Sequence, residues 1–354
     1  MLRKRFLWYP GLFVVVLLLV SCAGLPPRPE LEPPPQPQPQ PQAEPQPKPK
    51  IYPTTRIFPD FVALIAQPGD TLPSLASKYL NDSSMDWFIA EFNGITFLKP
   101  GQEVIIPLHV YGKGGLSLEG YQTVPVLSYH KFSKDKADVL TVKDSAFEEQ
   151  MRFLKEKGYR VIKMDELFDF LDYKRPIPKK SIVITIDDDW YSTYEIAFPI
   201  LKKYGYPATL FIYTDLIIPG GKTLSWDVLT EMSKSGIDIQ CHTKSHRNLD
   251  KRNGRESFRE YFQAVKKELV ESAEIFQKRL NKEVKYLAYP YGDTNHLIIA
   301  LLTKLGYRGA FTVERGSNPF FVHPYRINRS MIFGNFNIQD FQNCLAYMSD
   351  KDLR

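Results

Sequence analysis

Apolar and polar positions change rhythm several times along this 354-residue chain. Residues 6–20 are an apolar run broken only by Pro10 and Gly11, behind a short head carrying Arg3, Lys4 and Arg5. Residues 26–50 alternate Pro with Gln, Glu and Lys. Such a stretch has too little apolar surface to offset the entropy of ordering and reads as an extended, solvated spacer. Residues 57–108 form a self-contained pattern. It predicts a strand at 61–66, a turn at 67–71 ending in a helix cap, and a helix with Leu72, Leu75, Ala76 and Tyr79 at helical spacing. A second short helix around Trp87, Phe88, Glu91 and Phe92, a turn at 98–102 and a strand at 103–106 complete it. From Tyr121 the rhythm becomes strand, helix, strand. Apolar runs at 123–128, 181–186, 208–213, 237–241, 284–289 and 309–313 alternate with amphipathic stretches at 145–156, 191–204, 226–234, 255–280 and 295–305. Several runs are continuously apolar, as parallel strands buried on both faces should be. This alternation predicts a parallel α/β domain, a barrel or an open doubly wound sheet, with its chemistry where strands end.

Composition narrows the function classes. Hydrophobic residues at 43% and charged residues at 24% suit a globular protein with a real core. The formal charge of +6 falls to +3 without the basic head, and no basic block exists elsewhere, which excludes a dedicated nucleic-acid binder. Three cysteines exclude a disulfide scaffold and a four-thiolate zinc site. The uninterrupted apolar part of the N-terminus, 12–20, is far short of the roughly 20 residues that span a bilayer, so residues 1–21 read as a secretory signal. Leu19-Val20-Ser21-Cys22 resembles the bacterial lipobox, which implies a diacylglycerol on Cys22 and a chain that begins there. Ala23 follows, without the aspartate associated with inner-membrane retention, so the expected address is the outer membrane, facing the periplasm. Residues 22–56 would then be a linker reaching roughly 100 Å at about 3.1 Å per residue.

Three strand ends of the larger domain carry unusual residues. The run at 181–186 empties into Asp187, Asp188 and Asp189. Adjacent carboxylates there are costly unless they meet a cation or act as acids and bases; a solvated acidic turn is the alternative. The run at 237–241 leads to His242 and His246, which on one helical turn face the same way and can share a metal. The third end is Leu287-Ala288-Tyr289-Pro290-Tyr291-Gly292, a turn that brings backbone N–H groups close to a ligand or is merely structural.

In this order the segments resemble the polysaccharide deacetylase family, the NodB-homology domain of carbohydrate esterase family four. The resemblance spans residues 121 to about 345. It includes Val124-Pro125-Val126-Leu127-Ser128-Tyr129-His130, similar to the opening strand of the branch with the poly-N-acetylglucosamine deacetylases, and Phe198-Pro199-Ile200-Leu201, Leu224-Ser225-Trp226-Asp227 and Ser235-Gly236. It implies a distorted (β/α) barrel over residues 109–350, with Asp187 as general base and Asp188, His242 and His246 as ligands of a divalent metal, usually zinc. The backbone N–H of Tyr291 would hold the oxyanion, and Tyr289, Pro290, Trp226 and Arg329 would lie near the substrate. Residues 57–108, with Gln-Pro-Gly-Asp-Thr-Leu early and Leu-Lys-Pro-Gly-Gln late, resemble a βααβ LysM domain. That implies a groove for N-acetylglucosamine glycans between Gly69, Asp70, Thr71 and Leu72 on one side and Asn93, Gly94 and Ile95 on the other. As helix caps and turn residues, Asp70 and Thr71 have a structural reading as well.

The departures from the family pattern sharpen the expectation. Asp189 stands in place of a glycine, so the local backbone must admit a side chain. Ala288 stands where many members carry an arginine that orients the base. No Leu-x-His segment supplies the usual general acid, leaving His130 and His323 as candidates, while His109 and His296 read as surface or packing residues. The expected function is metal-dependent N-deacetylation of an envelope glycan: peptidoglycan, a chitin-like chain or poly-N-acetylglucosamine. The alternative is a LysM-anchored, non-catalytic glycan-binding lipoprotein, which the intact Asp188, His242 and His246 set argues against.

Overall fold

A computed structural model of the chain describes residues 55–109, 113–217 and 222–351. The signal over 1–21, Cys22 and nearly all of the 22–56 linker lie outside the described residues. No helix among the described residues is long and apolar enough to cross a membrane.

The first module begins two residues before its expected start. Strand β1 (Thr55–Ile57) pairs antiparallel with β2 (Phe61–Ile65), which pairs antiparallel with β3 (Glu103–Pro107). Between β2 and β3 run helices α1 (Leu72–Leu80) and α2 (Asp86–Asn93). Strand β2 alternates buried and half-buried positions with the period of two that places Val62 and Leu64 on one face, where they meet Leu75, Ala76, Trp87, Ile89, Val104 and Ile106. Thr71 caps α1 in a reciprocal box with Ser74, and Asn81 ends the helix in the left-handed conformation.

The larger domain is built on six parallel strands in sequential order: β4 (Gly120–Tyr129), β5 (Ser181–Asp187), β6 (Thr209–Ile212), β7 (Asp238–Cys241), β8 (Tyr286–Ala288) and β9 (Gly309–Phe311). Helices α3 (Asp144–Glu156), α4 (Met164–Leu171), α5 (Phe198–Tyr204), α6 (Trp226–Lys234), α7 (Phe258–Leu280) and α8 (His296–Lys304) occupy the connections. Sequential order means every crossover advances the sheet in one direction, so the sheet curls instead of winding both ways. Residues 327–331 then join its two edges: Ile327 bridges Phe311, and Ser330 and Met331 pair with Leu127 and Ser128. The ring of strand pairings is thereby completed, which decides the architecture as the distorted barrel rather than the open sheet.

Strand pleating sorts the side chains into two cores. Ile182, Ile184, Ile186, Leu210, Ile212, Ile239, Cys241 and Leu287 point outward beneath the helices. Val124, Val126, Val183, Phe211, Tyr286, Phe311 and Ile327 fill the interior with Phe168 of α4. The same alternation puts Thr185, Asp187, Gln240, His242, Ala288 and Arg329 on the interior side. Apolar layers therefore seal the lower barrel and polar groups collect at the C-terminal ends of the strands.

Candidate active site

Asp187 is the last residue of β5, is buried, and receives a 2.7 Å hydrogen bond on Oδ1 from Nη1 of Arg329. Arg329 also donates through Nε to the carbonyl of Thr312 at 2.8 Å and through Nη1 to Oγ1 of Thr185 at 3.3 Å. Burial alone would push the Asp187 carboxyl upward, but the charges of Arg329, His242 and His130 outweigh it and hold it at about 2. The site thus contains a carboxylate that stays ionised although it is out of bulk water.

One residue later the backbone turns into the left-handed region, at φ 69° for Asp188, which swings its carboxylate away from Arg329 and toward the histidines. Asp188 Oδ1 lies 3.9 Å from His242 Nε2 and 3.7 Å from His246 Nε2. His242 Nδ1 is 2.8 Å from the carbonyl of Ala288, which can only accept, so Nδ1 carries the proton and Nε2 keeps its lone pair. Burial lowers His242 to about 4 against the opposing charges of Asp187 and Asp188, so its ring is neutral at neutral pH, the form in which imidazole binds a metal. The three ligand atoms lie within 4.8 Å of one another and form the one metal-capable trio found among the described residues. Donors about 2.0–2.2 Å from one ion lie no more than about 4.4 Å apart, and both separations from Asp188 meet that limit. A carboxylate with two imidazoles, leaving positions open, fits a divalent cation.

The histidine pair differs from its expected setting. Residues 243–246 are a loop and not a helical turn, with Thr243 at φ 70° and His246 at φ 62°. Tyr291, at φ 64°, is a fourth non-glycine residue of the site in the left-handed region. Because Asp188 takes that conformation in the acidic motif, Asp189 does not need to, and a side chain is admitted there. Asp189 is buried, and burial with the neighbouring Asp188 charge pushes its carboxyl well above the ordinary range.

Other expected site residues fall in different places. His130 follows β4, half-buried, close enough to Asp187 for its charge to act there. The exposed Tyr291 ring lies 4.9 Å from that of His246, and Tyr213, which sequence reasoning missed, lies 5.2 Å away. Arg329 was expected beside substrate; it is fully buried behind Asp187 and donates to that carboxylate. Tyr289 and Pro290 are buried, and Tyr289 points to the outer core with its hydroxyl on the carbonyl of Tyr325. Trp226 packs edge-on against Phe276 of α7. Tyr289 and Pro290 are thus held in the packing, while Trp226 remains half-buried. His323 is exposed beside Pro324, whose carbonyl takes the N–H of Ala310 in β9. His296 is exposed at the start of α8, and His109 pairs with Asp60 at 3.5 Å.

In the first module several expected groove residues are occupied locally. Asp70 Oδ2 accepts from the N–H of Gln67, Thr71 caps α1, and Leu72 is in the core. Asn93 donates to the carbonyls of Ile89 and Ile105 and accepts from the Ile105 N–H, stapling α2 to β3. Its amide is therefore a structural clamp. Gly94 and Ile95, with Phe97 and residues 99–102, line a cleft of about 480 Å³, while Gly69 lies in the turn before α1.

Comparison with known proteins places this geometry. Residues 174–310 match the profile of the polysaccharide deacetylase family. The poly-beta-1,6-N-acetyl-D-glucosamine N-deacetylase of Staphylococcus aureus (strain MRSA252) is 32% identical over 194 residues, covering 51% of this chain and 66% of that protein. The chain thus spans just under two thirds of that relative's length. Among solved structures, the Streptococcus pyogenes deacetylase PplD in complex with acetate is 25% identical, with a TM-score of 0.57 over 63% of this chain and 98% of its own. A polysaccharide deacetylase of Bacillus cereus is 26% identical, with a TM-score of 0.53 over 71% and 73% of the two chains. Sequence match and fold thus agree: residues 174–310 of the larger domain carry the profile of the polysaccharide deacetylase family, and the chain is similar to members of that family in both sequence and structure.

Proposed function

We propose that the chain is a metal-dependent N-deacetylase that removes acetyl groups from N-acetylglucosamine units of a cell-envelope polysaccharide, with poly-β-1,6-N-acetylglucosamine the leading substrate class. The observation that carries this reading is the pairing of an ionised, arginine-held Asp187 with the neighbouring Asp188, His242 and His246 trio. The similarity to a Staphylococcus aureus enzyme named for that polymer supports the choice of substrate. A divalent ion held by Asp188, His242 and His246 would polarise the acetamide carbonyl and acidify a water molecule. Asp187 accepts the proton of the attacking water, and Arg329 keeps the accepting carboxylate ionised and aimed. The C–N bond then breaks to acetate and a free amine, which needs a proton; His130 stands at the adjoining strand end to supply it. Tyr291 and Tyr213 present aromatic rings beside His246 on which a sugar face can rest.

We assign the first module, on its two-helix, three-strand form and its cleft at 94–102, as a LysM-type glycan anchor. Cys22 is assigned as the lipid attachment point at the outer membrane, on the strength of the sequence around it. The test is acetate release by the purified, metal-loaded chain from β-1,6-linked N-acetylglucosamine oligomers, chitin oligomers and peptidoglycan. Release from the β-1,6 oligomers is expected to be fastest. No release from any of the three would overturn the reading.

A further inference from the structure

The two histidines are joined by three residues whose conformation needs an external hold. Thr243 and His246 both sit in the left-handed region, which a β-branched residue adopts only under strain. The hold comes from α7. Its inward stripe is Tyr261, Val265, Glu268, Leu269, Ser272 and Phe276, so one carboxylate interrupts an otherwise apolar and hydroxyl face. At 9% exposure Glu268 needs partners, and its hydrogen bonds among the described residues go to the loop between the histidines. Its Oε2 accepts the N–H groups of Lys244 at 3.0 Å and Ser245 at 2.8 Å, and its Oε1 accepts the Ser245 hydroxyl at 2.6 Å. The loop closes on itself where the His246 N–H donates to Thr243 Oγ1 at 3.1 Å. On the outer side Lys244 Nζ meets both oxygens of Asp215 at 2.7 and 2.8 Å, an exposed contact.

We propose that Glu268 is a positioning residue for the metal trio, holding residues 243–245 so that His242 and His246 present their ring nitrogens to one divalent cation. Two N–H groups converging on one oxygen fix the loop's direction as well as its place. The carboxylate therefore acts on ligand geometry through the backbone, where the Ala288 carbonyl acts on His242 through its ring. Outer partners of this kind change metal affinity by about 10–100-fold when removed.

The inference rests on the metal reading of the trio, and the two fail in different samples. Zn2+ and Co2+ affinities of the full chain are measured by competition with a chromophoric chelator. A parent chain that binds neither ion overturns the metal reading and the proposal with it. With a binding parent, Glu268→Ala should bind about 10–100-fold more weakly and alter the visible spectrum of the Co2+ form. Glu268→Gln should stay near the parent, because its amide oxygen can take both N–H groups while its amide nitrogen donates to Ser245 Oγ. At saturating metal, kcat of Glu268→Gln should match the parent. A folded Glu268→Ala with parental affinity overturns the proposal, as does Glu268→Gln weakened equally with Ala. If Glu268→Ala does not fold, Ser245→Ala and Thr243→Val, each removing one bond of the loop, carry the test. Several-fold weaker binding supports the proposal, and unchanged affinity in both overturns it. Asp215→Ala is the control at an exposed contact, with affinity expected within about threefold of the parent.

Discussion

Asp187 and Asp188 are neighbours in sequence and opposites in environment, because a left-handed φ at Asp188 sends the two carboxylates to different partners. They should fail differently when replaced. Asp188→Ala is expected to lose bound metal and activity together, whereas Asp187→Asn should keep the metal and lose on the order of 10²- to 10⁴-fold in rate. Metal content and acetate release measured on the same samples separate the two, and the reverse pattern would show the roles exchanged. His130→Ala should leave metal content intact and slow release by on the order of 10²-fold; an unchanged rate removes it as proton donor. Arg329→Met leaves a buried carboxylate unpaired, which typically costs about 3–5 kcal/mol, so a lowered unfolding midpoint in urea is expected. The sign with pH follows from the lowered Asp187. In the metal-free protein the pair stabilises fully above the ordinary carboxylate value of 3.8, and that contribution fades as pH falls through about 2. The acid-side loss should be smaller in Arg329→Met. The acids and histidines were legible in the sequence because they interrupt apolar runs. The Arg329 partnership was not, since it joins residues 142 apart and no local pattern encodes such a pair.

At the scale of elements, hydrophobic periodicity was a good guide wherever a strand or helix had to bury a face. The runs at 181–186 and 237–241 became β5 and β7, and the amphipathic stretch at 255–280 became α7. Where conformation is set by a distant group instead, periodicity had nothing to read: the loop after β7 and the short pairing segment at 327–331 are both of this kind. Glu268 was visible in principle, as an acid on the apolar stripe of its helix. Trp226 and Tyr289 show the same ambiguity, since an aromatic beside a motif packs a core as readily as it meets a ligand, and here both take part in the outer core. The seal of the lower barrel offers a clean test. A Cβ on Gly309 would collide with the Phe168 ring and lie 2.7 Å from the carbonyl oxygen of Pro324. Gly309→Ala should therefore destabilise by about 1–3 kcal/mol in urea unfolding while leaving metal affinity unchanged.

In the molecule as a whole, the first module meets the barrel at the N-terminal ends of the strands. Asp86 pairs with Arg160 at 2.7 Å, Asp82 with Arg175 at 3.9 Å, and Glu91 accepts the N–H of Lys179 at 3.0 Å. Asp187 lies at the other end of β5, roughly 20 Å of strand away. Ion pairs at a surface contribute about 0–1 kcal/mol each and weaken with salt. Asp86→Ala combined with Glu91→Ala should make the module melt apart from the barrel in calorimetry, and about 1 M salt should do the same to the parent. A single shared transition in both cases would show that the apolar contacts alone hold the two together.

The closing segment at 327–331 also sets a timetable. A chain emerging from the ribosome or an export channel presents Asp187, Asp188 and both histidines long before residue 329 exists to meet them. Until then the sheet has two free edges and the Asp187 carboxylate lacks its arginine partner, so the ring can be shut only after most of the polypeptide is out. Contacts between residues so far apart in sequence form slowly. Closure of the ring and the pairing of Asp187 with Arg329 are thus expected to be one late event of folding.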